Sequence, residues 1–425
     1  MSLRPLQLVK SDRYSWAVSQ AHELGILSSD HSAALFVDLD VLDERLDHLS
    51  QVFPRTALHA IPVKTHPILS TLRYIVSRGY GLECASLEEV VLALKASCPS
   101  DKIVWDSPAK SKTEIDYVIQ HAPGAIVNAN SIAELDMYPA DHGLRLGLRV
   151  LLMSATGAPQ VFDVSSSDSK FGEPITSRQE IIECFVRRPD LVGLHLHAGS
   201  DIGNIAQNAS RVSAVYDLAL EINSVRVAAQ LPALNYLDIG GGAGVYLDGR
   251  PSQGLEEYAE SITAKCDVLS SPLQIITEFG RFTYGHCGWL WSRIAALRSN
   301  TRDHYLAILH VGADALVREI YQPHPQPHSY TVLDSHFNLD PATDKIYDLA
   351  GPLCFAGDVI AREISLPQLS LSHSIIVCNA ASNSLALWSR HCSRRMPAVI
   401  HYRHQQSCVL AKPAETLEDI ITFWS

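Results

Sequence analysis

The chain has 425 residues, a formal net charge of −12 and 47% hydrophobic residues. This length exceeds what one hydrophobic core normally supports, so two domains are expected. The acidic balance argues against a nucleic-acid partner, and no apolar stretch has membrane-spanning length. Nine cysteines without a CxxC pair indicate reduced thiols rather than a metal site. Because the N-terminal segment also lacks a signal-peptide layout, we expect a cytoplasmic protein.

Strand-like and helix-like segments alternate between residue 57 and about residue 285. The helix-like segments carry apolar residues at three- and four-residue spacing. Eight strands with helices between them predict a (β/α)8 TIM-type barrel. An open doubly wound sheet is the alternative, because a strand count does not prove closure. The strands are ALHAIPV, YGLECA, KIVW, AIVNA, RLGLRV, LVGLHLHA, YLDIGGG and LQIITEFG, and the helices include HPILSTLRYIVSR, SLEEVVLALKA, SKTEIDYVIQH, TSRQEIIECFVRR and GLEEYAESITAK.

After residue 285 the chain contains short β-rich segments separated by polar or Pro/Gly loops. The segments HYLAILHV, SYTVLD, SIIVCNA, AVIHYR and SCVLAK predict a mainly antiparallel β domain. We therefore expect a barrel domain at residues 33–285 and a β domain formed by residues 1–32 and 286–425. The strand AALFVDL precedes the first barrel strand and is expected to lead into the barrel from the β domain.

Lys64 stands at the end of the first predicted barrel strand, in AIPVKTHP. Locally, it could simply mark the solvent end of the strand, whereas burial would lower its pKa and make the amine nucleophilic. Functional groups of such barrels lie at the carboxyl ends of the strands, so residues that follow other strands should share one mouth with Lys64. These residues are Arg149, His197, Ser200, Gly240, Gly241, Gly242, Glu278, Gly280 and Arg281.

Each of these residues also has an ordinary structural interpretation. The three glycines could form a tight turn, His197 could be a hydrogen-bonded core residue, and Glu278 could be a solvated carboxylate. Together, however, a lysine, an anion-binding glycine turn, an aromatic ring and a carboxylate are the groups needed to hold pyridoxal 5'-phosphate. The sequence therefore predicts this cofactor.

The motifs resemble, in the same order, those of the fold-type III pyridoxal-phosphate decarboxylases, which include diaminopimelate, ornithine and arginine decarboxylases. AIPVKTHP is similar to YAVKAN, GLHLHAGS to GLHxHxGS, and GPLCFAGD to GPxCxSxD, while LDIGGG and SKFG are unchanged and TEFGR stands where EPGR is usual. The resemblance covers nearly the whole chain. It implies an alanine-racemase-like barrel and a homodimer whose active sites are shared between subunits.

The resemblance also implies roles for individual residues. Lys64 is expected to bind the cofactor covalently, His197 to stack on its ring and Arg149 to support the oxygen side of the ring. Glu278 is expected to pair with the pyridine nitrogen, which favours decarboxylation over racemization. Cys354 is expected to reach across the dimer and return a proton to the substrate carbon. The residues expected at the phosphate are Ser200, Gly240, Gly241, Gly242, Gly280 and Arg281.

Departures from the family pattern concern the substrate and the phosphate. Phe355 stands where the family has a carboxylate for the distal ammonium of the substrate, and an apolar ring cannot pair with a buried cation. Asn383 stands where a phosphate-contacting tyrosine is usual. Arg318 and Tyr321 are the expected contacts of the substrate carboxylate. Arg281 and Phe355 are also expected to line the substrate pocket.

We therefore expect decarboxylation of an amino acid or amino-acid conjugate without a free distal ammonium. A citryl-linked intermediate of siderophore biosynthesis is the favoured class. The first alternative is an ordinary diaminopimelate or basic amino-acid decarboxylase that holds the distal amine with another residue. The alternative from another class is a catalytically silent homologue that binds a protein partner, although such homologues tend to lose the lysine or the cysteine. No membrane, nucleic-acid or metal partner is expected.

Overall fold

The computed structural model divides the chain into two compact units. One unit comprises the described residues up to Arg45 together with Thr283–Ser425, and the other comprises Leu46–Val245 and Ser252–Phe282. In the part of the chain that is described, no helix is long and apolar enough to cross a bilayer. The structure describes residues 11–152, 169–199, 205–243, 245, 254–301, 304–321, 328–343 and 345–425.

The described residues form the following helices and strands. The helices are α1 (Ser11–Glu23), α2 (Leu39–Val52), α3 (Leu69–Ser77), α4 (Leu87–Lys95), α5 (Lys112–His121), α6 (Arg178–Arg187), α7 (Ile205–Ala228), α8 (Leu255–Thr263), α9 (Gly280–Tyr284), α10 (Val317–Tyr321) and α11 (Leu417–Trp424). The strands are β1 (Ala33–Asp38), β2 (Leu58–Pro62), β3 (Gly81–Cys84), β4 (Ile103–Trp105), β5 (Ile126–Ala129), β6 (Arg145–Leu151), β7 (Glu173–Pro174), β8 (Leu191–His195), β9 (Tyr236–Asp238), β10 (Gln274–Thr277), β11 (Gly288–Thr301), β12 (His304–Leu309), β13 (Tyr330–Leu333), β14 (Leu339–Asp340), β15 (Lys345–Ala350), β16 (Val359–Leu366), β17 (Ser374–Val377), β18 (Ala398–Arg403) and β19 (Ser407–Lys412).

Eight parallel strands close into a barrel. Their order is β5-β4-β3-β2-β10-β9-β8-β6, and β5 also pairs with β6, so the sheet has no open edge between its first and last strand. Every predicted barrel strand is present, which confirms the (β/α)8 barrel and excludes the open sheet. The strands are almost wholly buried, as is typical of parallel sheets covered by helices.

The side chain of Tyr236 fills the barrel interior near the amino ends of the strands. Its hydroxyl donates a hydrogen bond to Oδ1 of Asn128 at 2.8 Å. Gly193, on the neighbouring strand, leaves room for the ring, since a Cβ there would lie 2.3 Å from ring atoms. This packing closes the lower barrel and leaves the carboxyl ends of the strands for a site. The apolar residues packed with Tyr236 are Leu58, Ala60, Val104, Ile126 and Ile276.

Local sequence explains where several helices begin. Ser111 and Glu114 form a capping box at the start of α5, each side chain accepting the backbone N–H of the other residue. Ser86 caps α4 in a related way. The helical pattern of α7 is less clear, because polar residues such as Asn208 and Arg211 are buried among its apolar ones.

The other unit contains the mainly antiparallel sheet that the sequence predicted. Its main order is β14-β13-β17-β11-β1-β18-β19, and β12, β15 and β16 extend it from β11. The pairs β1–β18 and β12–β15 are parallel. The long strand β11 connects the main order to β12, β15 and β16. It pairs with β1 and β17 on the main order and also with β12.

The boundary between the units differs from the predicted residue 33. Strand β1, which contains most of the AALFVDL segment, pairs with β11 and β18 of the ten-stranded sheet. All of its residues are buried, and the chain groups with this sheet as far as Arg45. The hydrogen bonds of β1 belong to the β unit, in agreement with the expectation that this strand leads into the barrel from the β domain.

Candidate active site

Lys64 lies just beyond β2, in a single 3-10 turn formed by Val63–Thr65. Its Nζ donates a hydrogen bond to Oε2 of Glu83, and 45% of its side-chain surface is accessible, against 1% for Glu83. Burial alone would lower the pKa of Lys64, but the charges of Glu83 and Glu278 outweigh burial and raise it. The predicted lowering of this pKa is therefore wrong, and the amine must lose a proton before it can act as a nucleophile.

Glu83, at the end of β3, is the nearest acceptor for that proton. Burial raises the pKa of Glu83 to about 7, while the ammonium of Lys64 acts in the opposite direction. The carboxylate is fully enclosed and its Oε2 faces the amine. Lys64 and Glu83 thus form a hydrogen-bonded ion pair at the barrel mouth, a role that the sequence did not assign to Glu83.

His197 and Glu278 are brought together from two different strand ends, as predicted. His197 follows β8 and Glu278 follows β10, and Nδ1 of the histidine is 3.0 Å from Oε2 of the glutamate. Burial, reinforced by the charges of Arg149 and Lys64, lowers the pKa of His197, so its ring is neutral at pH 7. A neutral, held imidazole is a suitable flat surface for a cofactor ring.

Behind Glu278 lies a cluster that the sequence analysis missed. Ligand-type atoms of Asp106, His195, Asp238 and Glu278 all lie within 4.8 Å of one another, and all four residues are buried. Nε2 of His195 is 3.7 Å from Oδ2 of Asp106 and 3.6 Å from Oε1 of Glu278. The available signals were the HxH spacing in GLHLH and a polar residue directly after β4.

The members of this cluster cannot all be ionised. Burial raises the pKa of Glu278 and of Asp238, and the nearby carboxylate charges raise both pKa values further. Burial would also raise the pKa of Asp106, but His195 and Arg149 act in the opposite direction and lower it. The buried carboxyl groups therefore compete for ionisation, which burial and mutual repulsion oppose at Glu278 and Asp238.

Arg149 brings a buried positive charge to the same region from β6. Its guanidinium carbon lies 4.4 Å from the ring centre of Phe171. Burial lowers the pKa of Arg149, while the carboxylates of Asp106 and Glu278 act in the opposite direction. Arg149 thus lies close enough to Asp106 and Glu278 to offset part of their negative charge.

The glycine turn follows β9 and lies against the histidine. Gly240 has φ +65°, and a Cβ there would lie 2.8 Å from Nδ1 of His197. Gly242 has φ +104°, a conformation that glycine adopts readily. Oδ1 of Asp238 accepts the N–H of Gly240 at 2.9 Å, and Gly241 N–H lies 3.3 Å from Nδ1 of His197.

Of the other residues predicted at the phosphate, Gly280 begins the short helix α9 and approaches Thr65 so closely that a Cβ would lie 2.2 Å from its Oγ1. Thr65 directly follows Lys64, so this contact joins the last barrel strand to the turn that carries the lysine. Arg281 is half-buried in α9. Ser200 lies outside the described residues.

The barrel residues fit pyridoxal 5'-phosphate. Oε1 of Glu278 is buried and accepts no hydrogen bond from the described part of the chain, so it can accept one from a pyridine N–H. The glycine turn has no side chains to prevent close approach of a phosphate. Lys64 presents a partly accessible amine in the same unit, next to an acceptor for its proton.

The remaining predicted residues lie in the other unit. Cys354 and Phe355 are exposed on the loop between β15 and β16. The ring of Phe355 stacks on that of Tyr321, with centroids 5.5 Å apart and planes 5° apart. Arg318 lies in the same short helix as Tyr321, α10, and is half-buried. The structure therefore joins Phe355 and Tyr321, two residues assigned to the substrate.

One buried carboxylate fixes the loop that carries Cys354 and Phe355. Asp358 accepts the backbone N–H groups of Ala313 at 2.6 Å and Leu353 at 2.8 Å. Glycines on both sides of the carboxylate make room for it, since a Cβ on Gly351 would lie 2.3 Å from its oxygens. The side chains of the loop are exposed, but its backbone is anchored.

Asn383 has a left-handed backbone, with φ +58°. Asparagine tolerates this conformation better than most residues, and its Nδ2 donates to Oγ of Ser382 at 2.8 Å. The amide side chain is half-buried. Its predicted contact with the cofactor phosphate stays a prediction.

Comparison with known proteins gives consistent results along the chain. Residues 39–285 match the pyridoxal-binding domain of the pyridoxal-dependent decarboxylases. The diaminopimelate decarboxylase of Deinococcus radiodurans is 26% identical over 90% of this chain and 93% of its own, and that of Archaeoglobus fulgidus is 25% identical over 83% and 84%.

Solved structures show the same fold. Diaminopimelate decarboxylase from Helicobacter pylori, complexed with L-lysine, superposes with a TM-score of 0.82 at 21% identity, covering 95% of this chain and 98% of its own. Lysine/ornithine decarboxylase from Vibrio vulnificus, complexed with putrescine, gives 0.76 at 18% identity, covering 93% and 100%. Because the family match extends over more than half of the chain and includes the barrel that carries Lys64, this protein belongs to the pyridoxal-dependent decarboxylases.

Proposed function

We propose that this enzyme removes the α-carboxylate of diaminopimelate or of another basic amino acid. The relatives that cover most of the chain are diaminopimelate decarboxylases. The observation that carries the proposal is the placement of Lys64 in the family's barrel, bonded to Glu83 and within the electrostatic influence of Glu278. This choice corrects the preference drawn from the sequence, because nothing in the comparisons supports a citryl-linked siderophore substrate.

Pyridoxal 5'-phosphate supplies an aldehyde that bonds amines and a ring that accepts the electron pair left by a departing carboxylate. In our proposal, Lys64 would hold that aldehyde, and Oε2 of Glu83 would take the proton that its ammonium loses. Oε1 of Glu278 would accept the hydrogen bond of the ring nitrogen, and His197 orients Glu278 through Nδ1.

The phosphate and the substrate use the remaining residues. We assign the phosphate to the backbone of Gly240, Gly241 and Gly242, with further contacts from Ser200, Gly280, Arg281 and Asn383. Arg149 supports the oxygen side of the ring. Arg318 and Tyr321 receive a carboxylate of the substrate, as does Arg281. Cys354 returns a proton to the substrate carbon. The homodimer with shared sites and the cytoplasmic location remain part of the proposal.

One observation favours a second candidate, in which the substrate has no free distal ammonium. Phe355 stands where the family pattern has a carboxylate, and its ring stacks on Tyr321. Two stacked rings offer a flat apolar surface to the distal end of a substrate. A buried ammonium against that surface would be unpaired at a cost of several kcal/mol. An acylated or citryl-linked amino acid avoids that cost.

A carbon-dioxide release assay separates these candidates. Purified enzyme loaded with the cofactor would be given diaminopimelate, lysine, ornithine, Nε-acetyl-lysine and a citryl-linked diamino acid, with Lys64→Ala as the blank. The main proposal predicts the highest kcat/KM for a free basic amino acid. Release only from the acylated or citryl-linked compounds would replace it with the second candidate. No release above the blank from any of them would reject both and favour the silent homologue.

A further inference from the structure

A cavity opens at the opposite end of the barrel from the active-site residues described above. It has a volume of about 290 Å³, slightly below the usual range for small-molecule sites. Its lining comes from the amino-terminal ends of the strands and the segments that precede them, including Leu58, Tyr80, Lys102, Arg145 and Gln274. These residues all belong to the barrel unit. The proposed reaction uses none of them.

The lining of this cavity carries an excess of positive charge. Arg78, Lys102 and Arg145 contribute cations, against one carboxylate from Asp101. Burial lowers the pKa of His59, which also lines the cavity, to about 4, so its ring is neutral at pH 7. The whole chain has a formal net charge of −12. The positive charge of this cavity therefore has the opposite sign to the net charge of the protein.

Two of these cations bond only neutral oxygens in the part of the chain that the structure describes. Nη2 of Arg145 donates to the side-chain amides of Gln274 at 2.9 Å and Asn235 at 3.4 Å. Nζ of Lys102 donates to the carbonyl of Gly79 at 2.8 Å. Arg78, by contrast, pairs with the carboxylate of Asp47.

The structure also holds Arg145 in one orientation. Its guanidinium lies over the ring of Tyr236, 5.3 Å from the ring centre, and the two amides fix its edge. An ordered guanidinium loses little entropy when it binds, and its fork matches carboxylate or phosphate oxygens. Lys102 and Arg145 are both half-buried, so water screens them less than surface cations.

We propose that this cavity binds a small dianion, carrying either a phosphate or a pair of carboxylates, with Lys102 and Arg145 as its charged contacts. The volume admits a ligand of a few heavy atoms and excludes a nucleotide. This site is independent of the decarboxylation chemistry.

The test uses enzyme already loaded with pyridoxal 5'-phosphate. The cofactor then occupies the glycine turn at the barrel mouth, and the probe anions cannot bind there. Inorganic phosphate and malonate are titrated separately by calorimetry at constant ionic strength, with sodium chloride as the reference. The variants are Lys102→Gln and Arg145→Gln. The matched control is Lys265→Gln, which removes an exposed lysine of the same unit outside the cavity.

We expect saturable binding of at least one probe, weakened about tenfold or more by each cavity variant and unchanged in Lys265→Gln. Tighter binding of phosphate than of malonate, or the reverse, identifies the ligand class. If Arg145→Gln does not fold, Lys102→Gln decides the matter, because Lys102 bonds a single carbonyl. Binding of neither probe above the chloride reference would overturn the proposal, as would equal binding in wild type and Lys102→Gln.

Discussion

The candidate residues of the barrel unit and those of the β unit occupy opposite environments. Asp106, His195 and Glu278 are almost fully buried and their protonation is set by one another. Cys354 and Phe355 are exposed on a loop that is anchored by its backbone. Desolvation therefore sets the protonation of the buried barrel residues. The exposed loop residues should instead affect the reaction through the thiol of Cys354 and the apolar ring of Phe355. Substitutions in the two regions should separate cofactor chemistry from substrate selection.

The largest expected effect comes from Lys64→Ala, which removes the covalent attachment in the barrel. Activity should fall on the order of 10⁴-fold or more, the scale seen when a covalent group is deleted. After reduction with borohydride, mass spectrometry should find the cofactor on the peptide that contains Lys64 in the wild type and no cofactor in the variant. Lys112→Ala removes an exposed lysine and should behave as the wild type. Cofactor attached elsewhere would contradict the assignment.

Glu278→Gln should have the next largest effect, because it keeps the shape of the side chain but removes its charge. Loss of a single preorganised electrostatic contact costs roughly 10²–10³-fold in kcat. Covalent attachment at Lys64 should persist, since that residue keeps Glu83 as its partner. A kcat within a few-fold of wild type would show that the ring nitrogen does not depend on this carboxyl group.

The buried barrel histidines should also make the folded state sensitive to acid. Burial lowers the pKa of His59 from 6.5 to about 4, so the folded ring stays neutral where the unfolded one binds a proton. Stability is therefore lost as pH falls from 6.5 to 4, by about 3 kcal/mol for this group. In His59→Gln that part of the loss should disappear from urea unfolding curves. His336→Gln, an exposed histidine of the β unit, should leave the pH dependence unchanged.

The sequence predicted the barrel, its strands and the main partners at its mouth, because buried parallel strands and their polar ends leave clear local signals. It did not predict the raised pKa of Lys64, which depends on Glu83 and Glu278 from other strands. Asp106 was missed for the same reason, since its environment is assembled from several strand ends. The predicted boundary at residue 33 also differs from the observed one, because the partners of β1 lie far along the chain.

Cys354→Ala should have the smallest effect and tests the exposed side of the comparison. A general acid is worth several orders of magnitude in an enclosed site, but water can replace an exposed thiol as proton donor. We expect kcat to fall about tenfold, while covalent attachment and cofactor affinity stay unchanged. When the reaction runs in heavy water, the deuterium on the product carbon should occupy a different stereochemical position than in the wild type.

Cys392→Ala is the matched control, because it removes another exposed cysteine of the same unit. If both variants keep wild-type kcat and the same deuterium pattern, Cys354 does not deliver the proton. The loop would then contribute through Phe355 and its stacked partner alone, and a Phe355→Glu variant should shift kcat/KM toward substrates with a free distal ammonium.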